Sequence, residues 1–86
     1  MTMTLETTER YYQVSRADEM NSDDGQLMTP TMVRVRWENR EWVSVLVYGI
    51  VPEDGTGAMA TYYRGAAGSV PDFVRPLLRF FRLNAT

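Results

Sequence analysis

Between Thr31 and Glu38 the chain alternates strictly, with Val33, Val35 and Trp37 set against Arg34, Arg36 and Glu38. A period of two places one set of side chains on each face of a strand. After a tight polar turn around Asn39 and Arg40, Val43, Val45 and Val47 alternate with Trp42, Ser44, Leu46 and Tyr48. β-Branched and aromatic residues dominate both runs, which predicts strands. Pairing Trp37 with Val43 and Val33 with Val47 gathers the valines on one face. A slip of one residue would scatter them, so burial selects that register. Pro52 to Gly57 reads as a turn, and residues 58–64 as a third strand with Tyr62 and Tyr63 on opposite faces.

Beyond Gly65-Ala66-Ala67-Gly68 the period lengthens. Val70, Phe73, Val74, Leu77, Leu78 and Phe81 recur at helical spacing, with Arg75, Arg79 and Arg82 opposite, which predicts an amphipathic helix over about 70–83. Ser69 and Asp72 form a capping box at its start. Pro71 suits a first turn, whereas Pro76 should kink the helix or split it in two. The expected fold is a small two-layer α+β domain. An antiparallel meander of three to four strands, over about 31–38, 41–51 and 58–64, would carry the helix across its valine face. Val33, Val35, Trp37, Val43, Val45 and Val47 would then be buried against Phe73, Val74, Leu77 and Phe81.

Residues 1–30 resist the same treatment. Their apolar cluster is Tyr11, Tyr12 and Val14, and the pattern from Glu6 to Ser15 fits either a strand or a helix. Asn21 to Gly25 reads as a loop and Pro30 as a further break. The chain therefore divides into an acidic N-terminal segment, 1–30, which adds a strand or a helix, and a β-β-β-α core, 31–86.

Composition narrows the chemistry. The 86 residues are 44% hydrophobic and 23% charged, the balance of an ordinary globular chain. A chain of this size buries only about 60–65% of the surface its unfolded form exposes. Cysteine and histidine are absent, which excludes disulfides, thiolate or imidazole metal ligands and histidine-based triads. Net charge is −4 over residues 1–30, −1 over 31–60 and +3 over 61–86, so an acidic head precedes a basic tail. All nine basic residues are arginine. Codon usage in a GC-rich bacterium or its phage accounts for this, as does arginine's planar fork, which suits carboxylates, phosphates and aromatic faces.

The N-terminus carries no secretory pattern and no glycine for myristoylation. The longest apolar stretch, Val43 to Val51, is half a membrane span. The expectation is a soluble cytoplasmic protein or a virion component, with no membrane association.

The second face of the meander holds the candidate site. It should carry Arg34, Arg36, Trp42, Leu46 and Tyr48, joined by Tyr62 or Tyr63. Trp, Tyr and Arg are the residues on which protein interfaces concentrate their affinity. Either residues 1–30 fold over this face, with Tyr11, Tyr12 and Val14 against Trp42 and Leu46 and the acidic head against Arg34 and Arg36, or a partner covers it. That partner would be another protein or further copies of the chain. Stacking of single-stranded nucleic acid on the same rings is the alternative, opposed by a pI near 5.0.

Arg75, Arg79 and Arg82 form a secondary surface, either a solvated helix face or a dock for an acidic partner. Asp23-Asp24-Gly25 departs from a calcium loop at Met20, Ser22 and Thr31, and Glu53-Asp54-Gly55 reads as a turn. A metal-dependent carboxylate site built on Glu53 and Asp54 is all that catalysis retains. Gly65 to Gly68 lacks the Gly-Lys-Ser/Thr ending of a phosphate loop. The chain is therefore expected to be non-catalytic, without cofactor or metal, and to act by self-assembly or by docking on a larger protein. A phage accessory, a host-directed inhibitor and a virion subunit are concrete forms of that role, and a small nucleic-acid-binding regulator is the alternative.

Overall fold

Asn39 and Arg40 both adopt left-handed backbone, at φ 52 and 69. A two-residue turn of this kind matches the twist of the strands it joins, and it pins the central hairpin of the sheet. The computed structural model describes residues 5–15, 18–65 and 70–80. Five strands, β1 (Thr7–Gln13), β2 (Met20–Asn21), β3 (Leu27–Glu38), β4 (Glu41–Ile50) and β5 (Gly57–Tyr63), make up 54% of them. The strands run antiparallel in the order β1-β3-β4-β5, and β2 pairs with the start of β3.

The expected α+β domain is corrected here to an antiparallel sheet with one short helix. Asp72–Leu78 forms a seven-residue 3₁₀ helix in place of an amphipathic helix over 70–83. Proline explains the difference. Pro76 has no N–H to donate, and its ring clashes with the carbonyl four residues earlier. The tighter 3₁₀ turn, seen where the Val74 N–H donates to the Pro71 carbonyl at 3.0 Å, is used in such short pieces. Pro71 takes the N-cap position without a side-chain cap. Ser69 of the expected capping box, and Phe81 and Arg82, lie outside the described residues.

The core follows the valine pattern with one shift. Val33 pairs with Val47 and Val35 with Val45, and all four are fully buried together with Trp37, Met28 and Val74. The register then slips between Arg36 and Trp37, so Trp37 lies opposite Trp42 and not opposite Val43. Val43 is left half-buried outside the ladder. Each valine side chain taken wholly from water contributes about 1.5–3 kcal/mol, which is why the paired valines hold the register up to the bulge. Phe73, Leu77, Leu78 and Phe80 pack on this face around Val74. The Trp37 Nε1–H donates to the Leu78 carbonyl at 2.8 Å, and its ring meets Phe80 edge-on at 5.9 Å.

The N-terminal segment supplies two strands. β1 pairs with β3 from Thr7 against Glu38 to Gln13 against Met32, and Tyr12 and Val14 pack against the core. Arg10 projects to the same side, its guanidinium 5.5 Å from the Trp37 ring centroid and 5.4 Å from that of Phe80. β3 begins four residues before Thr31 and passes through Pro30 at a second irregularity. The absent N–H of proline is tolerated where the ladder is already broken.

Close contact with β4 then requires a glycine. A Cβ on Gly49 would lie 2.7 Å from the Thr29 carbonyl oxygen and 2.8 Å from the Met28 Sδ. The β2–β3 ribbon thus crosses the core side of β4 and ends on the far edge of β5. There the Asp23 N–H donates to the Met59 carbonyl at 2.9 Å, and the Thr61 N–H donates to both Asp23 carboxylate oxygens at 3.1 Å.

Candidate interaction surface

The side of the sheet away from the valines is built from three cross-strand rows. Tyr11, Arg34, Leu46 and Thr61 form the middle one. Glu9, Arg36, Ser44 and Tyr63 lie on one flank, and Gln13, Met32, Tyr48 and Met59 on the other. Neighbours along such a row stand about 4.5–5.5 Å apart, so their side chains share one surface. Tyr11 and Tyr63 are each 59% exposed and Met59 is 49% exposed, while Leu46 and Tyr48 are half-buried between them. None of the described residues lies over this face. β1 extends it sideways, so the cover expected from residues 1–30 is not formed by their described part.

Ion pairs cross the face. Arg34 reaches Glu9 at 4.0 Å and donates to the Ser44 hydroxyl at 3.4 Å. Arg36 meets Glu38 at 3.7 Å. The Nε atoms of both arginines are shut off from solvent with no hydrogen-bond partner among the described residues. Exposed pairs of this kind contribute at most about 1 kcal/mol each. They set the charge pattern of the surface more than its stability. Beyond Tyr48 and Met59 the sheet falls into a depression of about 490 Å³ bordered by Asp23 and Asp24, which gives the apolar strip an acidic end.

Four of the five expected site residues, Arg34, Arg36, Leu46 and Tyr48, come together here. Trp42 does not. The bulge at Val43 turns it to the core side, opposite Trp37, where it packs against the buried cluster. Sequence reasoning missed Tyr11 and Met59 as members of the face. The doublets Tyr11-Tyr12 and Tyr62-Tyr63 carried the signal, because adjacent strand residues put one ring on each side: Tyr12 and Tyr62 pack on the core, and Tyr11 and Tyr63 stay out.

The secondary arginine surface does not form as a helix stripe. Arg75 pairs with Asp72 at 3.6 Å, Arg79 follows the 3₁₀ helix in extended backbone, and Arg82 is outside the described residues. Asp54 serves its own turn. The Thr56 hydroxyl and N–H donate to it at 2.7 and 3.0 Å and, by stabilising the carboxylate, hold its pKa below the ordinary 3.8. Glu53 lines a separate groove of about 350 Å³ with Leu27, Val51 and Pro52.

Among the described residues no group of three or more acidic, cysteine or histidine side chains could hold a metal ion. No described helix is long and apolar enough to cross a membrane. Neither a protein-family model, nor a curated protein, nor a solved structure matches this chain, so the role of the surface is argued from the surface itself.

Proposed function

We propose that this is a non-catalytic interaction protein that docks another protein on the open face of its sheet. One observation carries the reading. The strip Tyr11, Leu46, Tyr48, Met59 and Tyr63 presents aromatic and thioether groups on a rigid antiparallel scaffold, uncovered by any described residue. Contiguous apolar patches on small soluble chains mark interaction sites. Tyrosine supplies a large contact area at low entropic cost, and methionine adapts to the partner's shape. With Asp23 and Asp24 at one end and arginine–carboxylate pairs across the middle, the face suits a partner that presents an apolar ridge beside basic groups.

The alternative of a nucleic-acid-binding regulator has weaker support. Arg34 and Arg36 already meet Glu9 and Glu38, and phosphates would approach two aspartates at the rim.

The test combines a double substitution with footprinting. In lysate of the source cell, Met59 and Tyr63 should become protected from hydroxyl-radical oxidation relative to the purified chain. Leu46→Asp with Tyr48→Ala should abolish that protection while leaving the circular-dichroism spectrum intact. Equal protection in the double variant would overturn the assignment. Protection conferred by DNA or RNA alone, and lost steeply with salt, would transfer the site to the alternative.

A further inference from the structure

The two edges of the sheet are treated differently. On β5, the Met59 carbonyl and the Thr61 N–H, both directed outward, are taken up by Asp23. β1 has no such cover among the described residues. Its backbone alternation is set by two bonds: the Val14 N–H donates to the Thr31 carbonyl at 3.0 Å, and the Asn39 N–H to the Glu6 carbonyl at 2.8 Å. Even-numbered positions therefore turn their amides toward β3. Thr7, Glu9, Tyr11 and Gln13 turn theirs outward, since antiparallel strands alternate between the two sides.

Proteins guard open edges with proline, lysine, bulges, very short strands or inward-pointing charges. Thr7–Gln13 has seven residues with none of the first four, and its one inward charge, Arg10, is held over two aromatic rings of the core, Trp37 and Phe80. Its other charge, Glu9, leans toward Arg34 and away from the edge.

We propose that a second copy of this chain pairs with β1 edge to edge, antiparallel and centred on Tyr11. The register follows from which residues a two-fold axis would juxtapose. An axis at Glu9 sets Glu9 against its own copy, and one at Arg10 sets two arginines together; like charges directly opposite are unfavourable. An axis at Tyr11 places the two Tyr11 rings side by side on the open face. It also sets Glu9 against Gln13 and Arg10 against Tyr12 of the second copy, with no like charges opposed. Moving the axis further toward Val14 shortens the overlap. The pairing is isologous, as closed dimers are. It joins the two sheets into one and makes the open faces continuous. It goes beyond the docking role above, because an edge can pair whether or not the face binds a partner.

The chain contains no cysteine, so engineered disulfides report this register without background. Tyr11→Cys should form a covalent dimer under mild oxidation. Glu9→Cys should not crosslink to itself, but should crosslink to Gln13→Cys in an equimolar mixture. Light scattering should return twice the 9.9 kDa of one chain for the unmodified protein. It should return a single chain for Gln13→Pro, whose missing N–H faces outward, and for Tyr11→Lys, which leaves the β1–β3 ladder whole should the proline variant not fold.

A monomeric mass for the unmodified chain at all concentrations, a dimer that survives both substitutions, or self-crosslinking of Glu9→Cys equal to that of Tyr11→Cys would overturn the proposal. Leu46→Asp with Tyr48→Ala should leave the mass unchanged, which separates loss of the docking face from loss of the edge.

Discussion

Trp37 and Leu78 are separated by 41 positions in sequence and joined by an indole N–H to carbonyl bond of 2.8 Å. The bond fastens the C-terminal segment to the centre of the sheet and satisfies a carbonyl at the end of the 3₁₀ helix, where helices leave such groups without partners. Trp37→Phe keeps an aromatic ring but strands that carbonyl and opens a small void. The expected cost is about 3 kcal/mol, read as a lower midpoint in urea unfolding. Hydrogen exchange at Val74 should rise more than at Val45. Equal acceleration at both sites would show that the segment is not held by this bond.

Asp23 closes the far edge of the sheet by accepting from Thr61 with both oxygens. Asp23→Ala removes the acceptor and leaves an exposed strand edge. The expected loss is about 1 kcal/mol, reduced from the usual value for a charged acceptor because the bond is open to water. The Thr61 amide should exchange faster, and turbidity on concentration should rise, as expected of an uncapped edge. Unchanged protection of Thr61 would count against the cap.

Gly49 has no room for a side chain. Gly49→Ala drives a methyl against the Thr29 carbonyl and the Met28 sulfur. The thioether can swing aside, but the carbonyl belongs to the backbone of β3. A loss of about 1–3 kcal/mol is expected, the range for overpacking, measured by thermal or urea unfolding. Gly57→Ala is the control, since nothing lies within 4 Å of a Cβ there.

Tyr62 titrates above the ordinary 10.0, first because burial penalises the phenolate and second because the Asp23 carboxylate repels it. A raised value in the folded state means that the native protein keeps its proton after the unfolded chain has lost it. The stabilisation is complete below pH 10 and declines as pH rises from there through the folded value. Absorbance near 295 nm should show a late phenolate step that Tyr62→Phe removes. Tyr62→Phe should remove part of the alkaline loss of stability, and Asp23→Asn should bring the transition closer to 10.0. A late-titrating step that survives Tyr62→Phe unchanged would contradict this.

The central hairpin was legible because Val33, Val35, Val45 and Val47 obey the period of a half-buried strand and Asn39-Arg40 suits a tight turn. β1 was obscured by Arg10, a cation on a core-facing position, which breaks the apolar alternation yet packs over Trp37 and Phe80 by the attraction of a cation for aromatic faces. Trp42 was misplaced because a bulge leaves no mark in the hydrophobic pattern: Val43 looks like Val45 and Val47 on the same strand, yet it alone of the three lies outside the ladder. The C-terminal segment shows the opposite error. Its apolar spacing is helical, but Pro71 and Pro76 decide its backbone. The open face was therefore legible in its centre, at Arg34, Leu46 and Tyr48, and illegible at its β1 border.

The opposition of Trp37 and Trp42 across the bulge has an optical consequence. These are the only two indoles in the chain, and both sit at one corner of the sheet, with Trp37 held directly beneath Leu78 and Phe80. The tryptophan fluorescence of the protein, excited selectively at the red edge, therefore originates at a single place. Its wavelength and its quenching by iodide report whether the C-terminal segment is seated over Trp37.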